Sequence, residues 1–169
     1  GTAQKSRLGG NALLGISIAC ARASARARGC ELYEYLRTLS DISPSKPSPY
    51  LYMNYINGGK HAHSGIAFQE HMIVPLTENV SEALDMARKF EDALRNILAS
   101  EYGKDVADSM GDEGGFVLSE SDPEKPFARI DEALKESDLS EKVAIAIDSA
   151  ATSFYKDGVY HIGENSLSS

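Results

Sequence analysis

No apolar run in the sequence approaches the roughly 18 residues that a membrane-spanning helix requires, and no charged, apolar and small-residue signal pattern opens it. It is read as a soluble chain without a membrane span. Cysteine is scarce as well. Only Cys20 and Cys30 are present, and on one helix they would stand on the order of 13 Å apart, beyond the roughly 4.4 to 6.8 Å that a disulfide spans. Two free thiols and a cytoplasmic setting are expected. Acidic residues are missing from the first 30 positions, which carry Lys5, Arg7, Arg22, Arg26 and Arg28. The rest of the chain holds the remaining 12 basic residues against all 25 acidic ones, a balance of −13 within a net charge of −8. So acidic a body repels phosphates and excludes nucleic acid as a general partner. Arg22, Arg26 and Arg28 have a plainer use, complementing the dipole at the end of a helix.

What is present is ordinary for a folded protein: 169 residues, 42% apolar and 25% charged, enough for one domain and part of another. Asn11 reads as the cap of an Ala-rich helix that stops at Gly29, and a short helix covers Leu32 to Leu39. The proline-rich stretch Ser43 to Pro49 continues no regular element. It divides residues 1–42, 43–49 and 50–169 into a helical unit, a linker and a second unit. Tyr50 to Ile56 and Ala67 to Val74 read as strands. Asn79 and Glu82 form a capping-box pair before a helix whose apolar face runs through Val80, Ala83, Leu84, Ala87, Phe90, Leu94, Ile97 and Leu98 to about Tyr102. A helix near Phe127 to Leu134 precedes Val143 to Ile147, apolar on both faces as a buried parallel strand would be. Gly163 to Ser169 reads as an exposed segment with no terminating element. The class is α/β, a barrel or open sheet with its chemistry at the carboxyl ends of strands. A closed eight-stranded barrel takes roughly 250 residues, so residues 50–169 would hold its first portion.

Four groups of residues bear chemistry. Asp148 ends an apolar strand, where a carboxylate either binds a hard cation or caps the following turn. Gly111-Asp112-Glu113-Gly114-Gly115 sets two acids among three glycines, a loop that holds a general acid or is simply a solvated turn. Glu70 shares a strand face with Phe68 and Met72, and burial there would raise its pKa toward one useful in proton transfer, whereas an edge position would leave it exposed. Gln69 and Glu70 serve one site only near a strand end or bulge. His61 and His63, with His71 beyond, could present imidazoles to zinc, but no further ligand constellation accompanies them. Asn57 to Lys60 reads as a tight turn.

Taken together, Lys5-Ser6, Leu8 to Gly15, Asn54 to Ala62, Gln69 to Pro75, Gly111 to Phe116 and Ile147-Asp148 followed by Ala150-Ala151 resemble the enolases, of a bacterial-like type. The blocks run in order along nearly the whole chain. The resemblance implies the opening portion of an enolase-type (β/α)8 barrel, strand-strand-helix-helix-strand, preceded by helices of an α+β amino-terminal domain. It implies Mg²⁺-dependent dehydration of 2-phosphoglycerate to phosphoenolpyruvate, in a dimer. Glu113 would be the general acid, assisted by Glu70. His61, Gln69 and Glu70 would line the substrate pocket, and Asp148 would be one of three carboxylates on Mg²⁺. His63, Ser64, Leu118 and Ser153 depart from the usual pattern without removing a matched catalytic residue.

The family's base lysine, its other two metal carboxylates and its phosphate-binding groups match nothing here, and neither does its amino-terminal sheet. With Gly1 in place of a starting methionine, the chain reads as the middle of a longer protein and is expected to be inactive alone. A contrasting reading is a non-catalytic binding or assembly module, which would expose apolar strand edges.

Overall fold

The structure, a computed structural model, describes residues 2–41, 49–62, 64–163 and 165–168, without the side chains of Lys60 and His61. The chain divides into two compact units, Gly1–Pro47 and Ser48–Ser169. The expected linker, residues 43–49, lies outside the described residues apart from Pro49.

In the first unit, helix α1 (Gly10–Arg28) is followed by α2 (Leu32–Arg37). The expected Asn11 cap is corrected. The helix starts two residues earlier, with extended Gly9 as N-cap and no side-chain cap bond. The Gly9 carbonyl accepts from the amides of Ala12 and Leu13 at 3.1 and 3.2 Å, and a Cβ at Gly9 would come within 2.6 Å of Asn11 Oδ1. Glycine is itself a tolerated cap. At the other end Gly29 takes the left-handed conformation (φ 65°), with Arg26 and Arg28 in the last turn as the dipole favours. The Arg28 guanidinium lies 4.9 Å from the centre of the Tyr35 ring, tying α2 back to α1. Cys20 and Cys30 are both free. No helix among the described residues is long and apolar enough to cross a membrane.

The second unit is built on strands β1 (Met53–Asn57) and β2 (Glu70–Pro75), separated by a loop containing a single helical turn, α3 (Gly59–Ala62). After them come α4 (Val80–Tyr102), the short α5 (Lys104–Ala107), a two-residue strand β3 (Phe116–Val117), α6 (Lys125–Glu136) and β4 (Val143–Asp148). The strands form an open four-stranded sheet in the order β3-β1-β2-β4. β3 pairs parallel with β1, while β2 runs antiparallel to both β1 and β4. Beta-sheet content ends with a separate three-stranded meander of β5 (Tyr155–Lys156), β6 (Val159–Ile162) and β7 (Asn165–Ser168). Residues at 165–168, expected to lack an element, are thus paired, although exposed as anticipated.

The core lies between one face of the sheet and the helices. Ile56, Ile73 and Phe116 from three strands meet Phe90, Leu94 and Leu98 of α4 and Ile130, Ala133 and Leu134 of α6, all nearly or fully buried. The expected stripe on α4 is buried from Ala83 onward, but Val80 and Leu84, at 47% and 41% exposure, lie outside the packed region. The α4 cap is a modified box. Asn79 Oδ1 accepts from the amides of Ser81 and Glu82 at 3.0 and 3.2 Å. Glu82, however, accepts from Thr77 Oγ1 at 2.7 Å, and Thr77 Oγ1 in turn accepts from the Asn79 amide.

The reading of residues 143–147 as a parallel strand buried on both faces is also corrected. β4 is antiparallel to its neighbour and stands at the sheet's edge, and Ile145 and Ile147 are 39% and 45% exposed. Their pairing with Ile73 and His71 puts them on the helix-facing side, yet they stay exposed there, on the last strand of the sheet order among the described residues.

His71 is fully buried, with its Nδ1 3.2 Å from the Ile56 carbonyl and its ring 5.0 Å from that of Phe127. Its Nε2 has no hydrogen-bond partner among the described residues. Burial pushes its pKa below the ordinary 6.5, only partly opposed by the Ile56 bond. The unfolded chain therefore takes up a proton near pH 6.5 that the folded chain resists, so stability is full above that pH and falls as the pH drops toward the depressed folded value. Two outcomes are expected in urea unfolding. His71→Phe flattens the loss of stability between pH 6.5 and 5, and Asn79→Ala costs about 1 kcal/mol at neutral pH through the lost cap.

Candidate active site

Strand direction decides where the chemistry collects. β1, β3 and β4 run the same way, so their carboxyl ends lie together, and antiparallel β2 contributes its first residues to that same end. The register pairs Asn57 with Glu70 and Glu70 with Asp148, making one row across three strands. Directly paired residues share a face, here the one opposite the helices.

Gln69 immediately precedes β2, which is how neighbouring Gln69 and Glu70 come to serve one place despite strand alternation. The Gln69 amide donates to the Asp148 carbonyl at 3.1 Å, and its own carbonyl accepts from the Gly58 amide at 2.8 Å. With its backbone fixed, the Gln69 side chain donates through Nε2 to Glu113 Oε1 at 3.2 Å. Glu113 rides on a tight loop in which the Gly111 amide donates to the Gly115 carbonyl at 2.8 Å and the Gly114 amide to that of Gly111 at 3.0 Å. Gly114 has φ 79°, a conformation that favours glycine.

Gln69, Glu70, Glu113 and Asp148 are therefore brought together. Burial, then the charges of Glu113 and Asp148, raises the Glu70 pKa above its ordinary value. Asp148 Oδ1 accepts from the Ala150 amide at 2.9 Å, bracing Ala150 in the left-handed conformation (φ 45°). The turn-cap reading of Asp148 thus holds for one of its oxygens. The backbone of His61 lies in α3, whereas its side chain and all of His63 lie outside the described residues. His71 turns to the opposite face, away from the carboxylates. Among the described residues, no group of three His, Cys, Asp or Glu side chains is placed to hold a metal ion unaided.

One residue of the site escaped the sequence reading. Asn57, taken there as the start of a tight turn, is the last residue of β1 and only 4% exposed. It lines a small recess with Gly58, Ala62, Asp112 and Glu113. The signal that could have found it is the glycine content of its neighbours, since Gly58, Gly111 and Gly115 all lie where a Cβ would meet another group within 3 Å.

A helix-backed α/β sheet that gathers acidic groups at the carboxyl ends of its parallel strands is of the barrel-forming class. The family model "Enolase, C-terminal TIM barrel domain" matches residues 45–168, and "Enolase, N-terminal domain" matches residues 1–36. The chain belongs to the enolase family, a lyase family. It is 42% identical over 169 residues to the enolase of Methanothrix thermoacetophila, covering 99% of this chain and 39% of that protein. Against the enolase of Methanocaldococcus jannaschii it is 39% identical over 163 residues, covering 96% of this chain and 37% of that protein. The chain thus spans under two fifths of the length of these curated relatives.

Because the neighbouring charges add to the effect of burial, Glu113→Gln is expected to lower the Glu70 pKa without restoring its ordinary value. Carboxyl-carbon NMR titration of Glu70 reads this directly, and an unchanged midpoint would show that the two carboxylates do not interact.

Proposed function

We propose that the complete protein of which this chain is a part dehydrates 2-phosphoglycerate to phosphoenolpyruvate. The observation that carries this reading is the convergence of Glu70, Glu113 and Asp148, with Gln69 bonded to Glu113, at one end of the sheet. In that reaction the C2–H bond breaks first, its proton passing to a base supplied from beyond this chain. The electron pair left on carbon then forms the double bond as the C3–O bond breaks. Glu113, the general acid, gives its proton to the departing hydroxyl so that it leaves as water. A raised pKa suits Glu70 to sharing that acid-side work. Gln69 and His61 line the substrate pocket.

The acidic groups fit a hard cation in part. Asp148 offers carboxylate oxygen at the end of β4, and the repulsion from Glu113 and Asp148 that adds to burial in raising the Glu70 pKa is one that a divalent ion would relieve. Asp148 would be one ligand of Mg²⁺, with the rest of the set coming from outside this chain. When bound, the ion supplies positive charge against the negative charge that builds on the substrate. Residues 1–42 are assigned to an amino-terminal domain, 43–49 to a linker and 50–169 to the opening of the barrel. The complete protein is taken to be a cytoplasmic homodimer.

Exposure of Ile145 and Ile147 favours a second reading, in which this chain is a non-catalytic module that acts by pairing the edge of β4 with a partner. The two readings separate in one assay. Phosphoenolpyruvate formation followed by absorbance is expected for the complete protein with Mg²⁺, and for neither residues 1–169 alone nor the complete Glu113→Gln variant, whose rate should fall at least a thousandfold. A complete protein without activity would leave the module reading.

A further inference from the structure

Asn57 stands at the meeting point of the three segments that supply the site. Its backbone ends β1 and pairs with Glu70. The chain it leads into is pinned at once, by the Gly58 amide to the Gln69 carbonyl and the Gly59 amide to the Ile66 carbonyl, each at 2.8 Å. The acidic loop closes over its side chain from two sides. A Cβ at Gly111 would come within 2.2 Å of Asn57 Nδ2, and one at Gly115 within 2.7 Å of Asn57 Oδ1. Asn54 Nδ2 donates to Asn57 Oδ1, which fixes the orientation of the Asn57 amide. The loop that carries Glu113 therefore rests through two side-chain-free residues on one buried, oriented amide.

We infer that Asn57 is a positioning residue for the proton donor: its carboxamide seats the Gly111–Gly115 loop so that Glu113 reaches the leaving hydroxyl. Its contacts are with the loop's glycines, and it acts on the reaction through Glu113. The inference rests on the dehydratase reading above and deepens it. It also accounts for the two ends of the loop being glycine, since Gly111 and Gly115 are the points where the loop touches the amide.

A residue that acts through the acid has a distinctive signature. Glu113 is needed only when the C3–O bond breaks, so misplacing it should slow the loss of water and spare the reversible breaking of C2–H. The test uses the complete protein in D2O with Mg²⁺, reading phosphoenolpyruvate by absorbance and deuterium at C2 of recovered 2-phosphoglycerate by NMR. For Asn57→Ala, product formation is expected to fall at least tenfold while C2 exchange and KM stay within threefold of the unsubstituted protein. Gly111→Ala, which pushes the loop off the amide from the other side, should give the same split. Equal loss of exchange and product formation, or no loss of either, overturns the inference. So does failure of both variants to fold, by circular dichroism, because Asn57 would then be a determinant of the fold. An unsubstituted complete protein that forms no product defeats the dehydratase reading itself, a result distinct from an active protein indifferent to Asn57.

Discussion

The row of paired residues Asn57, Glu70 and Asp148 across three strands is the constraint on which the rest of the site depends. A sheet register has a period of two, so a slip of one residue in any of these strands would turn its candidate side chain toward the helices. Register is held by burial on the other face. Ile56, His71 and Ile73 are completely enclosed by the helix layer, and moving them out would expose apolar area at a cost of roughly 25 cal/mol per Å². The apolar core thereby fixes the facing of the carboxylates without touching them.

Reversal of β2 gives this arrangement its character. In a sheet of uniformly parallel strands only strand ends would reach the site, each from a different crossover. Here a strand beginning contributes two adjacent residues at once, Gln69 through its side-chain bond to Glu113 and Glu70 through its place in the row. Three carboxylates near one another are an electrostatic liability for the isolated fold, which adds to burial in raising the Glu70 pKa. Such tension concentrates where a protein holds charge for use.

Much of this could be read from residues alone. The helix at 80–102 was legible because its cap and its 3.6-residue apolar period agree, and both are local properties. Glu70, Glu113 and Asp148 were legible as candidates, since each is an acid in an incongruous setting: an apolar strand, a glycine loop and a strand end. β4 was misread because Val143 to Ile147 has the composition of a strand covered on both sides, while the covering depends on elements distant in sequence. Asn11 was misplaced as a cap because glycine, two positions earlier, is a tolerated cap that pattern reading undervalues. Asn57 was hidden for a different reason. An asparagine before two glycines is a strong turn signal, and its true partners, Gly111 and Gly115, lie over 50 residues away and announce themselves only by lacking side chains.

The pinned turn after β1 bears on how chains of this kind can change length. Hydrogen bonds from Gly58 to Gln69 and from Gly59 to Ile66 clamp the base of the connecting loop, so the spacing from Asn57 to Glu70 in space does not depend on the number of residues between the clamps. Insertions or deletions there are absorbed as a larger or smaller excursion, at an entropic cost that grows only slowly with loop size. One residue gained within β2 would instead reverse the face of every later side chain. Drift in length should therefore be tolerated in the excursion and purged from the strand.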